Sequence, residues 1–102
     1  MIFVIATIDL NPGSREKFLE EFRQIVPLVH AEAGCLEYGP TIDATTDVPT
    51  QVPLRQDVVT VVEKWASLEH LKAHSVAPHM AGYRPKVKDF VRSVTLQILE
   101  PA

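Results

Sequence analysis

The chain has 102 residues, 46% of them hydrophobic, and a formal net charge of −3, which fits one domain over residues 1–102 whose small core would gain from a partner copy. The charge balance, with no basic run, argues against nucleic acid as a partner. No apolar run is long enough to span a bilayer, and Met1 to Ile8 is too short and lacks the basic front end of a signal peptide, so no membrane role is expected.

The one cysteine, Cys35, has no internal disulfide partner, and this fits a reducing, cytoplasmic location. "IFVIATIDL" (Ile2–Leu10) is rich in β-branched residues and predicts a strand. In "NPGS", Asn11 or Ser14 can cap a helix and Pro12 suits its first turn. Phe18, Phe22, Ile25 and Val29 then recur at helical spacing, predicting an amphipathic helix from Ser14 to Ala33. Pro27 should kink it and Gly34 should stop it. "CLEYGPTID" (Cys35–Asp43) reads as a second strand, with Gly39 and Pro40 favouring an edge or a bulge. Residues 44–56 are polar and aperiodic, and a connection of that length in a small domain is usually functional or mobile.

"DVVTVVEKW" (Asp57–Trp65) is a strong strand pattern, with Val59, Val61, Glu63 and Trp65 on one face. Ser67 can cap the next helix, anchored by Leu68 and Leu71 and broken by Pro78. A second short helix can run to Lys88. "VRSVTLQIL" (Val91–Leu99) alternates as a last strand with Val94, Leu96 and Ile98 on its apolar face. The order β-α-β-β-α-β is the ferredoxin-like arrangement, an α+β fold with helices on one face of an antiparallel sheet. Phe3, Ile5, Tyr38 and Trp65 are expected to make the second face too apolar to stay bare, and a sheet-to-sheet dimer would cover it.

Three of the four histidines fall in "HLKAHSVAPHM", His70 to Met80. His70 and His74 have the i, i+4 spacing of zinc ligands, and His79 could join them beyond Pro78. No glutamate follows His70 in the zincin manner and acidic neighbours are sparse, so no metal site is expected and His70 reads as a solvated surface residue. His74 lies at the edge of the buried helix face. It suits a general base beside a pocket, or equally a core-edge histidine bonded to a backbone carbonyl. Glu63 beside Trp65 is unusual on a buried strand face. It reads either as a pocket wall, with Glu63 pairing a histidine or arginine, or as an ion pair next to a packing tryptophan. Tyr38 and Tyr83 can offer hydroxyls to a substrate oxygen or simply pack. Nothing basic adjoins Cys35, which reads as structural. No glycine-rich phosphate loop is present.

"NPGSREKFLEEF", "EAGCLEYGPTID", "VVEKWASLEHLKAHSVAPHM" and "SVTLQILEP" together resemble the antibiotic biosynthesis monooxygenase family, closest to its small bacterial quinol monooxygenases. The resemblance implies a dimeric α/β barrel of two ferredoxin-like protomers. It also implies an oxygenase that needs neither metal nor flavin, takes O2 as co-substrate, and uses its quinol or polyphenol substrate as the reductant. His74 would then be the base, and Trp65, Tyr38, His79, Tyr83, Met80 and Glu63 would bind substrate. Relatives that degrade haem use a first-strand asparagine, which "IFVIATIDL" lacks. Relatives that isomerise a small phosphorylated dione carry a segment like "HSVAPHM", so cofactor-free isomerisation stays open. So does non-catalytic binding of aromatic or quinone ligands by a homodimer.

Overall fold

Ile2–Leu10 forms strand β1 of the computed structural model, which describes residues 1–102. Helix α1 (Arg15–His30), strand β2 (Cys35–Thr41), strand β3 (Val58–Trp65), helix α2 (Leu68–Ser75), helix α3 (Pro78–Val87) and strand β4 (Val91–Leu99) follow. The strands make one antiparallel sheet in the order β2-β3-β1-β4, the ferredoxin-like topology. Pro78 opens α3, where its missing N–H costs nothing, and holds Ala77 before it in an extended conformation. No helix is long and apolar enough to cross a membrane.

Several ends differ from the sequence reading, each for a local reason. Helix α1 runs through Pro27, which gives up one backbone donor without ending the helix. The helix stops at His30 rather than Ala33, and the chain turns through Gly34 at φ +78°. Neither expected side-chain cap forms at its start. Asn11 Nδ2 instead donates to the Asp89 carbonyl (2.9 Å), and Ser14 makes no capping bond. Strand β2 ends at Thr41 because Asp43 is taken up by Arg55, whose Nε, Nη2 and backbone N–H all donate to its carboxylate at 2.9 Å. Ser67 does cap α2, accepting from the His70 backbone N–H (3.3 Å).

The core lies between the sheet and the helices. Phe18, Phe22, Ile25 and Val29 bring the α1 stripe onto Val4, Ala6, Ile8, Val59, Val61 and Trp65. Tyr38 and Trp65 belong to this side, not to the outer face where they were expected. Tyr38 is paired in register with Glu63, and both side chains are buried beneath the helices. Phe3, Ile5 and Val62 remain on the outer face, with Lys64 Nζ 5.7 Å from the Phe3 ring centroid.

Strand β4 is the exception to the covering. Its pairing with β1 puts Val94, Leu96 and Ile98 on the helix side, yet they are 55%, 53% and 51% exposed. Helix α1 packs against β2 and α3 against α1, so no helix roofs β4. A cavity is left between α2, α3 and the β1–β4 half of the sheet.

Candidate active site

The cavity measures about 530 Å³, a size suited to a small organic molecule. Most of its wall is apolar: Val4, Ala6 and Ile8 from β1, Leu71 from α2, Met80 and Val87 from α3, and Val94 and Leu96 from β4. Polar side chains interrupt that wall, among them Glu63, His74, Tyr38 and Tyr83. Ser75, Arg84 and Lys88 also line it. No residue from 44–56 does.

His74 is held from behind. Its Nδ1 donates to Glu32 Oε2 at 2.8 Å, and His79 Nε2 donates to the same oxygen at 2.7 Å. An ionised carboxylate only accepts, so both facing nitrogens carry the proton. Neutral His74 is therefore the Nδ1–H tautomer, with its lone pair on Nε2. That nitrogen has no protein partner, yet no enclosed polar side-chain atom lacks one, so Nε2 is solvent-accessible on a ring that lines the cavity. The imidazole is also clamped by rings, its centroid 4.8 Å from Trp65 and 5.3 Å from Tyr38.

Glu63 Oε1 accepts the indole N–H of Trp65 at 2.9 Å. Burial pushes the Glu63 carboxyl up from the usual range, and the Trp65 bond and the nearby His74 only partly offset this. Burial also raises the Tyr38 and Tyr83 hydroxyls well above the ordinary phenol range, so both stay protonated donors. Neither hydroxyl has a protein partner. The Cys35 thiol is pushed up by burial and then by Glu32 and Glu63, which leaves it an unreactive free thiol.

Of the seven site residues expected from the sequence, His74, Glu63, Tyr38, Tyr83 and Met80 line one cavity. Trp65 and His79 do not. Trp65 is fully buried behind Glu63 and His74, where it donates to one and packs on the other. His79 grips Glu32 from outside and lines a separate, smaller cleft. The partner expected for Glu63, a histidine or arginine, is the Trp65 indole instead. His74 bonds to a carboxylate, while the bond to a backbone carbonyl belongs to His30, whose Nε2 donates to the Tyr38 carbonyl at 2.7 Å. His70 is not a free surface residue. It lies 2.7 Å from the Ser67 hydroxyl, and its ring fills the space where a side chain on Gly34 would sit. Glu32 escaped the sequence reading: it sits in the turn after α1, 42 positions before His74, and no local pattern marks it.

Residues 1–86 match the family described as antibiotic biosynthesis monooxygenase. The chain belongs to that family. Over 103 aligned residues it is 39% identical to the "Probable quinol monooxygenase YgiN" of Escherichia coli K12, covering 99% of this chain and 98% of that one. The crystal structure of PA3566 from Pseudomonas aeruginosa superposes with a TM-score of 0.81 at 25% identity, covering 99% of this chain and 93% of that one. Rv0793 from Mycobacterium tuberculosis gives a TM-score of 0.80 at 24% identity, covering 99% and 94%, a likeness of fold alone. As a family member the chain is a monooxygenase.

Proposed function

We propose that this chain is a cofactor-independent monooxygenase that oxidises quinols or related polyphenols with O2, and that His74 is its general base. The observation that carries this is the Nε2 lone pair of His74, fixed by Glu32 and opening into an apolar cavity of about 530 Å³. The name of the E. coli relative supports a quinol as substrate class. The aromatic ring of a quinol suits the Val, Leu and Met wall, and its hydroxyls suit Glu63, Tyr38 and Tyr83.

The chemistry asks little of the protein beyond a base, donors and dryness. His74 Nε2 takes a phenolic proton, and the Glu32 carboxylate stabilises the imidazolium across 2.8 Å. The quinolate passes one electron to O2. The two radicals join at a ring carbon, and a base removes the hydrogen from that carbon as the O–O bond breaks and water leaves. One quinol and one O2 give one hydroxyquinone and one water. The quinol supplies all four electrons that reduce O2, so the balance closes without a flavin or metal. Arg84 and Lys88 add positive charge at the cavity wall, which favours the anion.

The same reading includes a homodimer and a cytoplasmic location. The surface is 6559 Å², against roughly 5,800 Å² for a compact monomer of this mass. Val94, Leu96 and Ile98 on β4, and Val48, Val52 and Leu54 in the loop, are half-exposed or more. A second copy over these residues would bury them and close the open side of the cavity. The free Cys35 fits a reducing compartment.

The test is turnover of a chemically reduced naphthoquinol under 18O2 with metal-stripped protein. The expected product is a hydroxyquinone carrying one 18O, formed faster than in the blank. Unlabelled quinone would mean simple dehydrogenation, and turnover that persists without O2 would replace this reading with proton-transfer chemistry.

A further inference from the structure

We propose that Glu32, His74 and His79 also form a binding site for a divalent transition-metal ion of the zinc type, and that filling it takes the base away from the cavity. Three elements meet at this point: the turn after α1 supplies Glu32, the last turn of α2 supplies His74, and the first turn of α3 supplies His79. Their donor atoms all lie within 4.8 Å of one another. Two imidazoles and one carboxylate suit zinc and its neighbours, whereas calcium and magnesium prefer oxygen alone. The set is half-sheltered rather than sealed. The side chains of Glu32 and His79 are 14% and 20% exposed, which leaves an entry path and room for a water as a fourth ligand.

In the metal-free state two protons occupy the ion's place, one on His74 Nδ1 and one on His79 Nε2, both directed at Glu32 Oε2. A metal ligates a deprotonated ring nitrogen. When it takes His74 Nδ1, the ring's proton moves to Nε2. The cavity-facing lone pair becomes an N–H donor, which accepts no proton from a substrate. His79 switches tautomer in the same way, so neutral rings bind the ion with no net proton release. His70 has no part in the site, since Ser67 and the Gly34 backbone hold it elsewhere. Binding stands on these three residues alone. Only its effect on activity rests on His74 being the base.

The test is calorimetric titration of Zn2+ into the chelator-treated full chain. One ion per chain is expected. His79→Gln removes a direct ligand and should weaken binding by roughly a hundredfold or more, beyond the loss typical of outer-shell changes. His70→Gln should bind as wild type does. Co2+ on the wild-type chain, which needs no variant to fold, should give the visible absorption of histidine-ligated cobalt. No saturable Zn2+ binding by wild type, no such cobalt absorption, or wild-type affinity in His79→Gln would each overturn the site. Saturating Zn2+ should also abolish quinol-dependent O2 uptake by wild type, reversibly with chelator. Stoichiometric Zn2+ with uptake unchanged would refute the loss of the base while leaving the ion site intact. If metal-free protein shows no uptake at all, the oxygenase reading fails and the calorimetry still decides the site.

Discussion

Glu32→Gln isolates what the carboxylate does for His74. The substitution is isosteric, and a glutamine oxygen can still accept from both imidazoles, now 2.8 and 2.7 Å away, so only the negative charge is lost. A hydrogen bond to a charged group contributes about 1.5–3 kcal/mol and a neutral one about 0.5–1.5, so losing the charge while keeping the bond costs about 1–1.5 kcal/mol. If His74 is the base, the Glu32 charge favours its imidazolium in the transition state more than the neutral ring, so the loss falls on kcat. At about 1.4 kcal/mol per factor of ten, kcat should fall by roughly five- to twelvefold. KM should change little, because Glu32 does not line the cavity. The assay is O2 uptake with a naphthoquinol, alongside a urea unfolding curve to show that the variant is folded. The double variant Glu32→Gln, His74→Ala should be no slower than His74→Ala alone, since the carboxylate acts only through the ring. A folded Glu32→Gln within twofold of wild type would refute the coupling.

Trp65→Phe removes the indole N–H that Glu63 accepts at 2.9 Å and leaves a void in a fully buried site, so it should cost about 2–4 kcal/mol, read as a lowered urea midpoint at fixed protein concentration. Glu63→Gln keeps an acceptor for Trp65 and removes a charge that folding disfavours. The raised Glu63 carboxyl makes the wild type most stable below its unfolded value of 4.5, and that stability is lost as pH rises through the folded value, so the variant should be the more stable at pH 7 and lose its advantage below about pH 4.5. Equal thermal midpoints at pH 7 would contradict this. Gly34→Ala puts a Cβ 2.2 Å from His70 Cγ at a φ of +78°, and should destabilise by more than the roughly 1–2 kcal/mol of the backbone alone, with His70→Ala recovering the excess. The carboxyl of Asp43 is held down at about 2 by Arg55, so the tether at the base of the 44–56 loop should persist above the ordinary carboxylate range and be lost as pH falls through about 2. Proteolysis of that loop at neutral pH should be faster in Asp43→Ala than in wild type.

Most of the fold was legible in the sequence because its elements are locally consistent. Strands β1 and β4 fall where alternation and β-branching put them, and Pro78 divides the second helical segment as expected. What local pattern cannot carry is which side of the sheet a residue faces once strands are paired. The pattern therefore points Tyr38 and Trp65 to the outer face, although register buries them beneath the helices. The apolar face of β4 was legible as apolar but not as uncovered, because that depends on where the helices end. The site divides in the same way. His74, Glu63 and the two tyrosines are chemically conspicuous in a short polar-poor stretch or on a buried strand. Glu32 is one glutamate among several on a solvated helix and turn, and only the meeting of α1, α2 and α3 makes it the residue that orients His74.

If His74 is the base of a metal-free quinol oxygenase, its removal must abolish most of the turnover. O2 consumption by metal-stripped protein with a reduced naphthoquinol, corrected for autoxidation, tests it for wild type and His74→Ala. Uptake above the blank is expected for wild type, with a loss of roughly a hundredfold or more in the variant. Equal uptake by both proteins, with the variant folded, would contradict it.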